Sequence, residues 1–219
     1  MSVARLRALL AALLWAPATL LAAEAGHPLD RAPIEPRDLV SLQAGARTFV
    51  NYCLNCHGAQ YMRYNRLTDL GLSEAQIRDN LMFAADKVGE TMKVAMSVKD
   101  GKAWFGVPPP DLSVIARSRG ADWLYTYLRT FHRDDKTASG WNNKVFPNVA
   151  MPHALWTLQR EQAAVQYDRT VRDLVNFLVY LGEPAALQRK SIGIVVLFVL
   201  GVLFVLAYAM KKAFWKDIR

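Results

Sequence analysis

The sequence predicts a mainly α-helical domain with an extended N-terminal arm and one C-terminal transmembrane helix. Three observations carry that prediction: a leader-like N-terminus, mid-chain stretches with helical spacing, and a long uncharged segment near the end. At the N-terminus, Arg5 and Arg7 precede an apolar run from Ala8 to Trp15, and the small residues Ala22, Ala23 and Ala25 follow. That order is the pattern of a secretory signal peptide, and Pro17 interrupts a run already too short to span a bilayer. Cleavage is expected after Ala23 or Ala25. Near the other end, Ser191 to Met210 carries no charge. Its last nineteen residues, at about 1.5 Å of rise each, reach about 28 Å, close to the thickness of a hydrocarbon core. Lys211, Lys212, Lys216 and Arg219 follow, which places the tail in the cytoplasm by the positive-inside rule. The expected division is a signal peptide at 1–25, a periplasmic domain at 26–188, an anchor helix at 189–210 and a basic tail at 211–219.

The same division explains the charge. The formal +8 sits mostly in the leader, the Arg189–Lys190 pair and the tail, so the exported domain is nearly neutral. Nothing in it points to nucleic acid.

Along the domain, residues 25–36 contain three prolines and read as an extended arm. Asp38 to Tyr52 reads as a helix, with Leu42, Gly45, Ala46, Phe49 and Val50 on one side. Glycine inside a helix is costly, so Gly45 implies a close packing contact. Leu81 to Val98 has helix-like spacing, with Met82, Met92 and Met96 as core filler. Val107-Pro-Pro-Pro-Asp-Leu-Ser113 predicts a rigid polyproline turn, with Asp111 capping a short helix after it. A helix over about Ala121 to Phe131 aligns Trp123, Tyr127 and Phe131. A last soluble helix runs from about Glu161 to Leu181, with Val171, Leu174, Val175, Leu178 and Leu181 in one stripe, and stops at Gly182. It is expected to cross the first helix. No strand-rich region is expected.

The chemistry is carried by residues 53–57, Cys-Leu-Asn-Cys-His. Two cysteines at this spacing followed at once by histidine form the attachment pattern of a c-type haem. The two thiols add across the porphyrin's two vinyl groups, and the histidine lies beneath the iron as an axial ligand. A disulfide oxidoreductase would need a βαβ pattern, and a zinc site would need a second ligand pair; His27, His132 and His153 are isolated. For the second axial ligand, Met151 is preferred over Met92 and Met96. It lies in Phe146-Pro-Asn-Val-Ala-Met-Pro-His153, where two prolines stiffen an extended loop. Met62 is too close to His57 to cross the ring. His153, two residues from Met151, is an alternative ligand whose simpler reading is a hydrogen-bonded loop residue. Either Arg117 or Arg119 could hold a haem propionate.

These residues together resemble the cytochrome c1 family, the haem subunits of the quinol–cytochrome c reductase (bc1) complex, in a bacterial form. The resemblance runs in order through Gly45 and Phe49, the haem motif, Tyr61 to Leu67, Pro109-Pro-Asp-Leu-Ser113, Arg117 and Arg119, Ala150-Met-Pro152, and the anchor ending Tyr208-Ala-Met-Lys-Lys212. It implies a class I cytochrome c-like haem domain with one covalent haem c. Met151 would be the sixth ligand, Arg119 would contact a propionate, and the Pro109–Pro110 backbone would pack on the haem. The implied partners are cytochrome b, the Rieske iron–sulfur protein and a soluble cytochrome c, within a dimeric complex in the cytoplasmic membrane. The implied role is single-electron transfer, with no enzymatic activity of the chain alone. The segment between Leu67 and Val107 is shorter than in mitochondrial members, and no acidic run is present to dock a basic cytochrome c. A free-standing tail-anchored cytochrome c is the nearest alternative, and a haem enzyme or gas sensor a more distant one.

Overall fold

The computed structural model describes residues 26–94 and 96–217. The expected signal peptide lies outside the described residues. The core of the domain is a crossing of two helices, α1 (Leu39–Tyr52) and a long helix near the end of the domain, Ala164–Gly182. Asp38 caps α1, its carboxylate accepting from the Ser41 amide at 3.0 Å. Gly45 is the contact point. A Cβ built there would lie 2.0 Å from the Asp173 carbonyl oxygen and 2.7 Å from the Phe177 Cβ. The expected close approach is therefore present, but its partner is the backbone of the second helix; Phe49 packs one turn on, its ring 5.6 Å from that of Phe177. Beside the crossing, buried Ser41 donates to the Asp173 carboxylate at 2.7 Å and accepts from Asn176 at 3.0 Å.

After the haem-type motif come β1 (Ala59–Arg63), a 3-10 helix (Tyr64–Leu70) and α2 (Glu74–Asn80). The helix expected over Leu81–Val98 does not form. A turn closed by the Glu90 amide on the Lys87 carbonyl leads instead into β2 (Thr91–Met92), which pairs antiparallel with β1. Met92 is fully buried there, so its side chain packs in the core as expected while its backbone serves a sheet.

Next come α3 (Val98–Phe105), α4 (Ile115–Arg119) and α5 (Ala121–Arg129). The last is two residues shorter than expected: Phe131 enters β3 (Phe131–Arg133), which pairs antiparallel with β4 (Trp141–Asn143). The expected aromatic stripe survives this change, with Trp123 stacked on Tyr127 at 4.7 Å and Phe131 edge-on to Tyr127 at 5.1 Å. A short α6 (Trp156–Glu161) is separated from α7 (Ala164–Gly182) by extended backbone at Gln162.

The arm is extended and tied down. Asp30 and Ala32 donate their amides to Thr126 and Asp122 of α5, each at 2.8 Å, and Arg129 bridges Asp30 to Asp168 of α7. The final helix, α8 (Ala186–Phe214), has no buried residue and is the one described helix long and apolar enough to cross a membrane. It begins before and ends after the expected anchor, carrying Lys211 and Lys212 in its last turn.

Candidate functional site

Helix α1 delivers the motif. Its hydrogen bonding continues past Tyr52: the Cys53 amide donates to Phe49, and the Cys56 and His57 amides both donate to the Cys53 carbonyl at 3.0 and 2.8 Å. One turn thus separates Cys53 from Cys56, which puts both thiols on one side. Both are free thiols, and both line a cavity of about 540 Å³. Burial, reinforced by Cys56, pushes the Cys53 thiol up to about 12, and burial also raises Cys56, so both are neutral thiols at neutral pH.

His57 lines the same cavity, and its Nδ1 lies 2.8 Å from the Pro110 carbonyl. A carbonyl only accepts, so Nδ1 carries the proton and Nε2 is left with its lone pair. Burial lowers the His57 pKa, which keeps the ring in the neutral form a metal requires.

The Pro110 carbonyl is positioned by a seam between residues 58–61 and 110–113. Leu112 donates to the Gly58 carbonyl at 2.8 Å, and Tyr61 donates to the buried Ser113 hydroxyl at 3.0 Å. Asp111 accepts from the Gln60 and Ser113 amides at 2.9 and 2.8 Å. This corrects the capping role expected for Asp111: α4 has Val114 as its N-cap, with no side-chain hydrogen bond. The carboxylate instead fixes the turn that carries the histidine's acceptor. Replacing Asp111 by alanine should cost about 1 kcal/mol in thermal unfolding, because both bonds are at least partly solvated. Pro109 and Pro110 both line the cavity, backed by α3, where a Cβ on Gly101 would meet Pro109 Cδ at 2.8 Å.

Met151 reaches the cavity from the loop after β4; Met62, Met82, Met92 and Met96 do not line it. Besides the prolines, two asparagines hold that loop, and sequence reasoning missed both. Buried Asn143 accepts from the Val145 and Phe146 amides and donates to the Tyr127 carbonyl at 2.7 Å. Asn142 accepts from the Asn148 amide at 2.8 Å, where Asn148 adopts a left-handed φ of 59°. The adjacent Asn pair just ahead of a proline loop was the available signal. Tyr127, expected as one ring of the aromatic stripe, also donates its hydroxyl to Met151 Sδ at 3.3 Å, a role the sequence did not show. His153 turns away from the cavity. It is buried, stacked on Phe131 at 4.9 Å, with Nε2 2.7 Å from Gln159 Oε1.

Of the two candidate arginines, Arg119 lines the cavity and Arg117 packs against Gly182. The Arg119 guanidinium lies over Trp123 at 5.1 Å and Phe146 at 5.9 Å and forms no ion pair among the described residues. The seven residues preferred from the sequence and its family resemblance, Cys53, Cys56, His57, Pro109, Pro110, Arg119 and Met151, thus line one cavity, while the alternatives Arg117 and His153 do not. Paired neutral thiols, an imidazole with Nε2 free, a thioether and an unpaired guanidinium in an apolar lining form a donor set that fits haem c.

Comparison with known proteins points the same way. The sequence profile of the Cytochrome C1 family matches residues 31–218. A protein of Nitrosomonas europaea named "Ammonia monooxygenase gamma subunit" is 50% identical, covering 96% of this chain and 97% of its own length. "Cytochrome c1" of Allochromatium vinosum is 47% identical, over 94% of this chain and 96% of its own length. "Cytochrome b/c1" of Bradyrhizobium diazoefficiens is 26% identical over 84% of this chain and 34% of its own, longer sequence.

Proposed function

The chain belongs to the cytochrome c1 family, the electron-transfer haem subunits of the bc1 complex, and on that basis we propose that it carries one haem c in the cavity lined by Cys53, Cys56, His57 and Met151. The carrying observation is that the seven residues, drawn from three separate segments, converge on one cavity. Cys53 and Cys56 would hold the group by thioethers. His57 Nε2 and Met151 Sδ would be its axial ligands, Arg119 would bind a propionate, and Pro109 and Pro110 would pack on its face.

When bound, the haem supplies a one-electron couple. The chain's own residues set its properties. The His57 Nδ1 hydrogen bond to Pro110 fixes the tautomer and stiffens the imidazole. A thioether on a braced loop favours the ferrous state and so raises the potential. With His57 and Met151 both holding the group, neither residue would have to move on reduction. That favours carriage over the bond chemistry that the name of the Nitrosomonas relative implies for that protein, so the chain alone would be no enzyme.

Electrons would arrive from the Rieske iron–sulfur protein and leave to a soluble cytochrome c, within a dimeric complex. The relative named "Cytochrome b/c1" supports cytochrome b as a neighbour. We place the haem domain in the periplasm and the tail of α8 in the cytoplasm, on the Lys211, Lys212 and Lys216 cluster. Purification of the tagged full chain in mild detergent tests this assembly. Cytochrome b and the iron–sulfur protein are expected to accompany it; recovery of the haem-loaded chain alone would support a free-standing carrier instead.

A further inference from the structure

The described residues place one polar group on the cavity wall whose presence packing does not explain. Tyr127 is 8% exposed, and its hydroxyl has Met151 Sδ as its hydrogen-bond partner, at 3.3 Å. A phenylalanine would fill the same space without the cost of burying a hydroxyl, about 1–3 kcal/mol when poorly partnered. We propose that the Tyr127 hydroxyl sets the reduction potential, by donating a hydrogen bond to the sulfur of the iron's thioether ligand. The inference rests on the reading that Met151 is that ligand.

The chemistry follows from the sulfur. A thioether has two lone pairs, so one can go to iron while the other accepts the hydroxyl proton. A donor on the second pair draws electron density from sulfur and points the positive end of its dipole toward the metal. Both effects disfavour the ferric state, so the hydrogen bond raises the potential.

The surroundings hold the hydroxyl on target. Trp123 and Tyr127 lie one turn apart on α5, between Arg119 at the end of α4 and Phe131 at the start of β3. Trp123 stacks on the Tyr127 ring at 4.7 Å with an 11° tilt, and Phe131 meets it edge-on at 5.1 Å. Arg119 lies over Trp123, and Asn143 anchors the Tyr127 carbonyl. The same Asn143 braces the start of the Met151 loop, so donor and acceptor are tied to one side chain. Tyr127 is thus a positioning residue for Met151.

The test is Tyr127→Phe in the haem-loaded full chain. The ferrous-to-ferric equilibrium is expected to move about fivefold toward ferric, the worth of one net hydrogen bond. At 59 mV per tenfold for one electron, that is about 40 mV lower. The methionine-to-iron charge-transfer band should persist and shift, with circular dichroism and melting little changed. An unchanged potential and band would overturn the proposal and leave Tyr127 as filler. If the variant fails to take up haem, the wild type still decides: the iron–sulfur stretch should shift between H2O and D2O, and no isotope shift overturns the proposal. Absence of the charge-transfer band from the wild type would instead refute Met151 as ligand, a separate failure.

Discussion

Replacing Met151 by leucine should lower the haem's reduction potential by on the order of 0.2 V, a fraction of the roughly 0.8 V that axial ligands span. On the proposed ligation, the substitution would remove the soft donor that stabilises the ferrous state and put nothing in its place. Leucine is close to methionine in volume, so the loop held by Asn142 and Asn143 should keep its path and the fold its stability to within about 1.5 kcal/mol. The iron would then have a vacant position. The low-spin methionine-ligated spectrum should disappear, and the reduced protein should bind carbon monoxide at neutral pH. A redox titration with absorption spectra checks all three, and an unchanged spectrum would remove Met151 from the coordination sphere.

Gly45→Ala should unfold the domain or cost at least about 3 kcal/mol. The sign is the informative part. In an open helix interior the same change stabilises by about 1 kcal/mol, because glycine gives up more backbone freedom. Here the added methyl would sit 2.0 Å from the Asp173 carbonyl oxygen, and that atom belongs to the α7 backbone and has no rotamer to escape into. Separating the helices would loosen Phe49 from Phe177 and break the buried Ser41–Asp173–Asn176 contacts. It would also disturb the motif, because α1 ends directly in Cys53. Thermal melting of the haem-loaded variant reads the effect, and a melting temperature equal to that of the wild type would refute the tight crossing.

The parts legible in the sequence were local or punctuated. Cys53, Cys56 and His57 lie within one turn, so their chemistry shows in five residues. The place of Met151 on the cavity wall was legible because the prolines on either side disqualify the loop as helix or strand. Gly45 was legible because an unexplained glycine in a helix demands a neighbour, although the neighbour itself, Asp173, is remote in sequence. What was not legible depends on remote partners. Asp111 has a side chain suited to capping, and only the return of residues 58–61 to its side shows that Gln60 claims it. Tyr127 looked like one aromatic of a core stripe, and nothing local sets its hydroxyl apart from the rings around it. The methionines of 81–98 had helical spacing by coincidence; pairing of Thr91 and Met92 with β1 outweighed it.

The most direct measurement of the central claim is quinol-driven reduction of the c-type haem in the detergent-purified assembly. Adding a quinol is expected to reduce the haem of this chain when cytochrome b and the iron–sulfur protein are present, and removing the iron–sulfur protein is expected to abolish that reduction. Full reduction by quinol without the iron–sulfur protein, or none with every partner present, would contradict that claim.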